Sequence, residues 1–142
     1  MFRRSKGAPE AIAVTRGADS VSYGSGGRLV DHPVTTGIDS VATFLGSAFR
    51  VNVSHDPLLV FGPGVECWGR ADLVVRPQGQ LQGALLEFGK GRVAVFGDAG
   101  IFDSKLNVRA GTKTGMNNPI ARQNPRLLLN VLHWLTRLGG QQ

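Results

Sequence analysis

Short apolar runs separated by glycine-rich turns fill most of the chain, and this pattern predicts a sheet. Residues 58–61 are continuously apolar and end at the turn 62–64, as is typical of a strand buried on both faces. Residues 83–88 and 92–97 are two strand-like runs around Gly89-Lys90-Gly91. Glycine reaches the positive φ values that tight hairpins require. We therefore predict a buried strand followed by an antiparallel β-hairpin.

The C-terminal segment has the spacing of an amphipathic helix. Asn124 is a suitable N-cap, Pro125 fits the first helical position, and Gly139 with Gly140 would end the helix. The apolar residues that recur at helical spacing are Leu128, Val131, Leu132, Leu135 and Leu138, with Leu127 and Trp134 beside them. We expect this face to pack on the sheet.

The N-terminal segment, residues 1–28, has few large apolar groups and several glycines. We predict that it is loosely ordered, with at most a short strand at 11–14. The runs 41–45 and 49–53 are β-branched and aromatic, and we expect them to pair around Gly46. Residues 29–142 then form a single α/β domain.

Composition limits the class of protein. The chain has 142 residues, 42% of them hydrophobic, and 20 glycines, which excludes disorder, collagen and coiled coil. A single cysteine, Cys67, excludes an internal disulfide and fits a reducing compartment. The basic start is followed by Gly7-Ala8-Pro9 in place of an apolar segment, so we expect no export signal and a cytoplasmic protein without a membrane span. Export stays open if the chain is truncated at its start.

The formal net charge of +6 is concentrated near the C-terminus. Residues 1–103 carry ten basic and ten acidic side chains, whereas residues 104–142 carry six basic ones and no acid. We predict a long loop after Asp98, and long loops in compact domains are functional or disordered. Its basic and amide side chains, Lys105, Arg109, Lys113, Asn117 and Asn118, precede a helix N-terminus and are candidate ligands for a small anion.

A solvated loop is the alternative interpretation of these charges. No aromatic residues alternate with the basic ones, so the sequence does not predict nucleic-acid binding.

Three motifs together resemble a known family. GKGRVAVFGD (89–98), GMNNP (115–119) and LLLNVLHWL (127–135) resemble the C-terminal part of class I glutamine amidotransferase-like domains, near the bacterial trehalose-utilisation-like group. DHPVTTG (31–37) is similar to a His-Pro turn of these domains. Over residues 29–138 the resemblance implies a flavodoxin-like, doubly wound α/β sheet that is reduced or truncated at its N-terminus.

The chain departs from that family at both catalytic positions. Asp98 stands near the place of the family's catalytic histidine, and a carboxylate does not replace an imidazole base near neutral pH. Cys67 lacks the glycine two positions earlier that the family's nucleophile elbow uses. We therefore expect no amidotransferase activity and assign no catalytic residue. The shortened first half also leaves a sheet edge that a protein partner or a second copy can complete.

Asp98 has two interpretations, because open α/β sheets bind ligands at strand ends and aspartate also caps turns. Three scattered histidines, His32, His55 and His133, lack the spacing of metal ligands, so we predict no metal and no cofactor.

The sequence thus favours a non-catalytic binding or interaction module. One alternative is a hydrolase that uses Asp98 on a small anionic or carbohydrate-related substrate. Another is a fragment of a larger protein without independent function.

Overall fold

The fold was analysed in a computed structural model, which describes residues 13–15, 21–24, 26–68 and 74–138. The strands in these residues are β1 (Ala13–Thr15), β2 (Val21–Tyr23), β3 (Arg28–Leu29), β4 (Val41–Thr43), β5 (Ser47–Ala48), β6 (Asp56–Val60), β7 (Cys67–Trp68), β8 (Val74–Val75), β9 (Leu81–Phe88), β10 (Gly91–Phe96), β11 (Ser104–Asn107) and β12 (Thr112–Gly115). The helix α1 spans Asn124–Thr136, and 3-10 turns lie at Pro33–Thr35, Ala99–Phe102 and Pro119–Ala121.

The main sheet has the order β10-β9-β6-β3. Two of its strands form the predicted hairpin, which is confirmed: β9 and β10 pair antiparallel from Phe88↔Gly91 to Gly83↔Phe96, with β10 at the edge of the sheet. Gly89 makes the turn at φ 59°, in the left-handed region that glycine enters without strain. The predicted buried strand 58–61 is β6, which lies between β9 and β3.

All pairs of these strands within the described residues are antiparallel. Parallel strands need crossover connections of a dozen or more residues, usually helices. The one α-helix in the described part follows the last strand, so it makes no such crossover. The mixed α/β class is confirmed. The doubly wound, flavodoxin-like arrangement is not confirmed, because its sheet would be mostly parallel.

One other expectation differs from the structure. The runs 41–45 and 49–53 do not pair: β4 pairs with β2, β5 pairs with β1, and Phe49 bridges to Leu81. Leu45 has φ 57°, which interrupts the extended backbone between the two runs. In the N-terminal segment, β1 overlaps the short strand predicted at 11–14, and β2 was not predicted; most other residues of this segment lie outside the described ones.

Helix α1 covers one face of the main sheet. Leu127 and Val131 are buried in a core with Leu58, Leu59 and Leu85. The apolar stripe is centred differently from the prediction, since Leu132 and Leu138 are exposed. Arg137, in the left-handed conformation, caps the helix by donating its backbone N–H to the carbonyls of His133 and Trp134, and the predicted terminator glycines lie outside the described residues.

The start of α1 is held by a side chain from within the helix. Asn124 was predicted as the N-cap, but Gln123 has that position and makes no capping bond with its side chain. The fully buried Asn124 side chain instead accepts from the Ala42 N–H at 3.1 Å and donates to the carbonyls of Ala42 at 2.7 Å and Ile101 at 2.9 Å. This amide joins the helix, β4 and the 99–102 turn.

We predict that Asn124→Ala lowers the free energy of unfolding by about 3 kcal/mol, because a buried backbone donor and two acceptors lose a partner. Urea denaturation followed by circular dichroism measures the loss. Asn117→Ala is the matched control: Asn117 is exposed and makes one bond, to the Lys105 carbonyl at 3.2 Å, so the expected loss is below about 1 kcal/mol. Equal losses in the two variants would contradict this role for Asn124.

Candidate functional site

Asp98 lies just beyond the end of β10, as predicted. Its Oδ1 accepts a hydrogen bond from the Gly100 N–H at 2.7 Å and caps the 99–102 turn. Its Oδ2 accepts from the Phe44 N–H at 2.6 Å, which ties the turn to the end of β4. The residue is only 5% exposed. Both carboxylate oxygens are therefore bound to the protein's own backbone.

Opposing effects act on the pKa of the Asp98 carboxyl. Burial is the main cause that raises the pKa of this carboxyl above its ordinary value, and Asp103 adds to the rise. The backbone hydrogen bonds from Phe44 and Gly100 lower the pKa, as does the positive charge of Lys105. The two backbone bonds occupy about half of the acceptor sites of the carboxylate.

The predicted basic loop is largely a β-hairpin, formed by β11 and β12. Its strands pair from Ser104↔Gly115 to Asn107↔Thr112, and Gly111 turns the chain at φ 65°. The loop prediction was wrong here because the strands are short and polar, and four-residue strands of this kind leave little periodic signal. We call residues 104–115 the basic hairpin.

Lys105 is not a free cation in the basic hairpin. Its Nζ forms an ion pair with Asp103 Oδ2 at 2.5 Å, and this carboxylate raises the pKa of the Lys105 ammonium. Both groups sit at the base of the hairpin, near Asp98. The pair contributes little stability, because Lys105 is exposed and surface ion pairs are screened by water.

The two predicted asparagine ligands support the hairpin backbone. Asn117 donates to the Lys105 carbonyl at 3.2 Å, and Asn118 donates to the Lys113 carbonyl at 2.6 Å. The Oδ1 of Asn118 also accepts from the Ile120 N–H at 3.1 Å and caps the 119–121 turn. These amides serve as structural donors in the chain.

Arg109 and Lys113 are the predicted cations that stay available. Within the described part of the chain neither side chain has an ion-pair or hydrogen-bond partner. Two apolar residues that the sequence reading missed lie beside them: Leu106 is 56% exposed and Val108 is 84% exposed. The alternation Leu106-Asn107-Val108 was the signal that could have revealed a strand with an apolar edge residue.

A buried polar cluster links β2, β4 and β9 and was not predicted. Gln82 Oε1 accepts from the hydroxyls of Tyr23 at 2.6 Å and Thr43 at 2.7 Å. Burial raises the pKa of the Tyr23 phenol, which keeps it protonated as a donor. Gly46 packs against Gln82 and Asp98. A larger residue would not fit there, because its Cβ would lie 2.5 Å from Gln82 Nε2. The cluster joins β9 to β2 and β4.

The three histidines do not form a common site. His32 Nδ1 accepts from the Val34 N–H at 3.2 Å and caps the 33–35 turn, and His55 Nδ1 contacts the Val53 carbonyl at 2.8 Å. His133 is exposed on α1. Among the described residues, no three His, Cys, Asp or Glu side chains are close enough together to hold a metal ion.

Comparison with known proteins identifies no relative: no protein-family model matches the chain, and no curated protein and no solved structure matches it. The described helix α1 lacks the length and apolar character needed to cross a membrane, and so does every other described helical segment.

We predict that Asp98→Ala lowers the free energy of unfolding by about 3 kcal/mol, since two backbone N–H groups lose their acceptor. Asp98→Asn keeps one acceptor oxygen and should lose less. Urea denaturation of both variants measures the difference. The exposed Asp39→Asn is the control, and a loss in Asp98→Ala no larger than in this control would show that the capping bonds carry little energy.

We also predict that Cys67 is inert in the folded chain. The thiol is fully buried, and burial raises its pKa, so the reactive thiolate is scarce. Iodoacetamide at neutral pH should alkylate Cys67 slowly in buffer and rapidly in urea, as measured by mass spectrometry. Equal rates in the two solutions would contradict this assignment.

Proposed function

We propose that the chain is a binding or interaction module whose basic hairpin contacts a protein partner with an acidic surface. The observation that carries this proposal is the exposure of every residue from 104 to 113. Leu106 and Val108 are exposed in this stretch and offer apolar contact area beside cations. The basic hairpin also pairs with no other strand in the described part of the chain.

The chemistry of the partner follows from the hairpin surface. Leu106 and Lys113 are directly opposite each other in the register, so they share one face of the hairpin. An apolar side chain beside an unpaired cation fits a partner that offers an apolar contact and a carboxylate. The open surface would enclose little of a small ligand, which favours a protein surface over a small anion.

A hydrolase that uses Asp98 is the alternative proposal. One observation favours it: perturbed carboxyl pKa values are common at catalytic sites, and the pKa of Asp98 is raised. The two backbone hydrogen bonds to Asp98 favour the capping role instead. The substrate of such an enzyme would be small and anionic or carbohydrate-related. Asp98→Asn separates the proposals, because it would abolish turnover and leave partner binding intact.

The wider assignment also stays a proposal. Descent from a class I glutamine amidotransferase-like, flavodoxin-like domain is supported by the three sequence motifs and not by the antiparallel pairing of the strands. A free edge supports pairing with a partner or second copy: within the described residues, β10 pairs with β9 alone. The buried free thiol of Cys67 is compatible with the cytoplasm as the compartment.

Site-specific photocrosslinking tests the proposed function. With p-benzoylphenylalanine in place of Leu106, the chain expressed in its native cells should crosslink to a discrete protein. Combining Arg109→Glu with Lys113→Glu should reduce the adduct about fivefold or more, because reversed charges repel an acidic partner.

The control places the same photoreactive group at Phe88, which is exposed at the β9–β10 turn beside Lys90. This site should give no such adduct. Two results would overturn the assignment of the basic hairpin as the contact surface. One is an equal yield of adduct from the two sites, and the other is a yield from Leu106 that the charge reversal does not change.

A further inference from the structure

The second face of the main sheet carries its own small core. Ala84 and Leu85 are neighbours on β9, so their side chains point to opposite faces. Leu85 belongs to the core beneath α1, whereas Ala84 packs with Phe49, Val60 and Leu81 in a separate cluster. This second cluster is the floor of an open cavity of about 420 Å³, to which Phe49, Val60 and Leu81 contribute.

The polar lining of this cavity is basic. Arg28 from β3, Arg50 and His55 line it, and none of its lining residues is acidic. Among the described residues, neither Arg28 nor Arg50 has a hydrogen-bond or ion-pair partner. Two guanidinium groups without a counter-charge border one cavity, so an anion bound there would be attracted by both.

Gln80 adds an unsatisfied group to the same lining. Its Oε1 is buried and has no hydrogen-bond partner within the described residues. A buried acceptor without a donor is unfavourable. An ionised carboxylate or phosphate has no donor for this oxygen, so Gln80 adds nothing to the binding of an anion.

We propose that this cavity binds a small organic acid, with its anionic group between Arg28 and Arg50 and its apolar body on Phe49, Val51 and Leu81. The cavity lies on the sheet face away from α1, and the proposal does not depend on the partner proposed for the basic hairpin. The proposal concerns binding alone: the lining holds the imidazole of His55 and no carboxylate, hydroxyl or thiol beside it.

The size of the cavity limits the ligand. Taking the roughly 30 Å³ that a water molecule occupies in the liquid as a measure, the space holds on the order of ten to fourteen non-hydrogen atoms. An aryl or short alkyl group with one carboxylate or phosphate has this size. Guanidinium groups bind carboxylate and phosphate alike through paired N–H donors.

Isothermal titration calorimetry with phenyl phosphate tests the proposal. The wild-type chain should bind phenyl phosphate saturably, and inorganic phosphate or phenol alone should bind at least about tenfold more weakly, since each has half of the required chemistry. Arg28→Gln and Arg50→Gln should each weaken phenyl phosphate binding about tenfold. Val51→Thr, which keeps the side-chain shape, should weaken it about threefold.

Arg122→Gln is the matched control, because it removes one exposed cation that lies outside both the cavity lining and the basic hairpin, and it should leave the affinity unchanged. NMR chemical-shift changes should map to residues 49–51 and 79–81. No saturable binding of phenyl phosphate, equal affinity in wild type and the Arg28→Gln and Arg50→Gln variants, or shifts confined to the basic hairpin would overturn the proposal. Binding to phosphatidylglycerol vesicles without binding to phenyl phosphate would also overturn it, because the ligand would then be a lipid surface.

Discussion

The buried amide of Asn124 is the constraint on which the arrangement of this fold depends. A side chain inside the first turn of α1 bonds to both backbone groups of Ala42 in β4 and to the carbonyl of Ile101. A buried amide with three partners has one geometry, since any shift of the helix leaves polar groups unpaired. The helix can therefore cover the sheet in only one position, and the 99–102 turn is held against β4.

Asp98 strengthens the same junction from the other side. Its carboxylate bonds to Phe44 at the end of β4 and to Gly100 inside the turn, so two polar side chains fix one backbone segment. The basic hairpin begins directly after this segment. A rigid base beneath an exposed hairpin would suit the recognition that we propose for it, because little conformational entropy would be lost on binding. In that proposal, Asp98 and Asn124 position the surface.

The sequence predicted the elements whose turn residues and apolar spacing lie close together along the chain. The β9–β10 hairpin and α1 were recognisable because their turn and periodicity lie within one continuous stretch. The role of Asn124 was not, since a residue with capping chemistry at a helix start gives no sign of partners some 80 positions away. The position of Asp98 at the end of a strand was predictable from the sequence for the same reason. Its hydrogen bond with the Phe44 N–H was not, because that contact forms only in the folded chain.

The distribution of charge along the sequence also differs from its distribution in the folded structure. By sequence, residues 1–103 are electrically balanced and the whole excess lies after them. In the structure, Lys105 of the basic segment is neutralised by Asp103, whereas Arg28 and Arg50 of the balanced segment have no acidic partner among the described residues. A charge count along the sequence offsets basic residues with acidic ones that do not pair with them in the folded chain. Unpaired positive charge therefore occurs at two surfaces of different shape, an exposed hairpin and an open cavity, and for this reason the ligands proposed for the two differ in size.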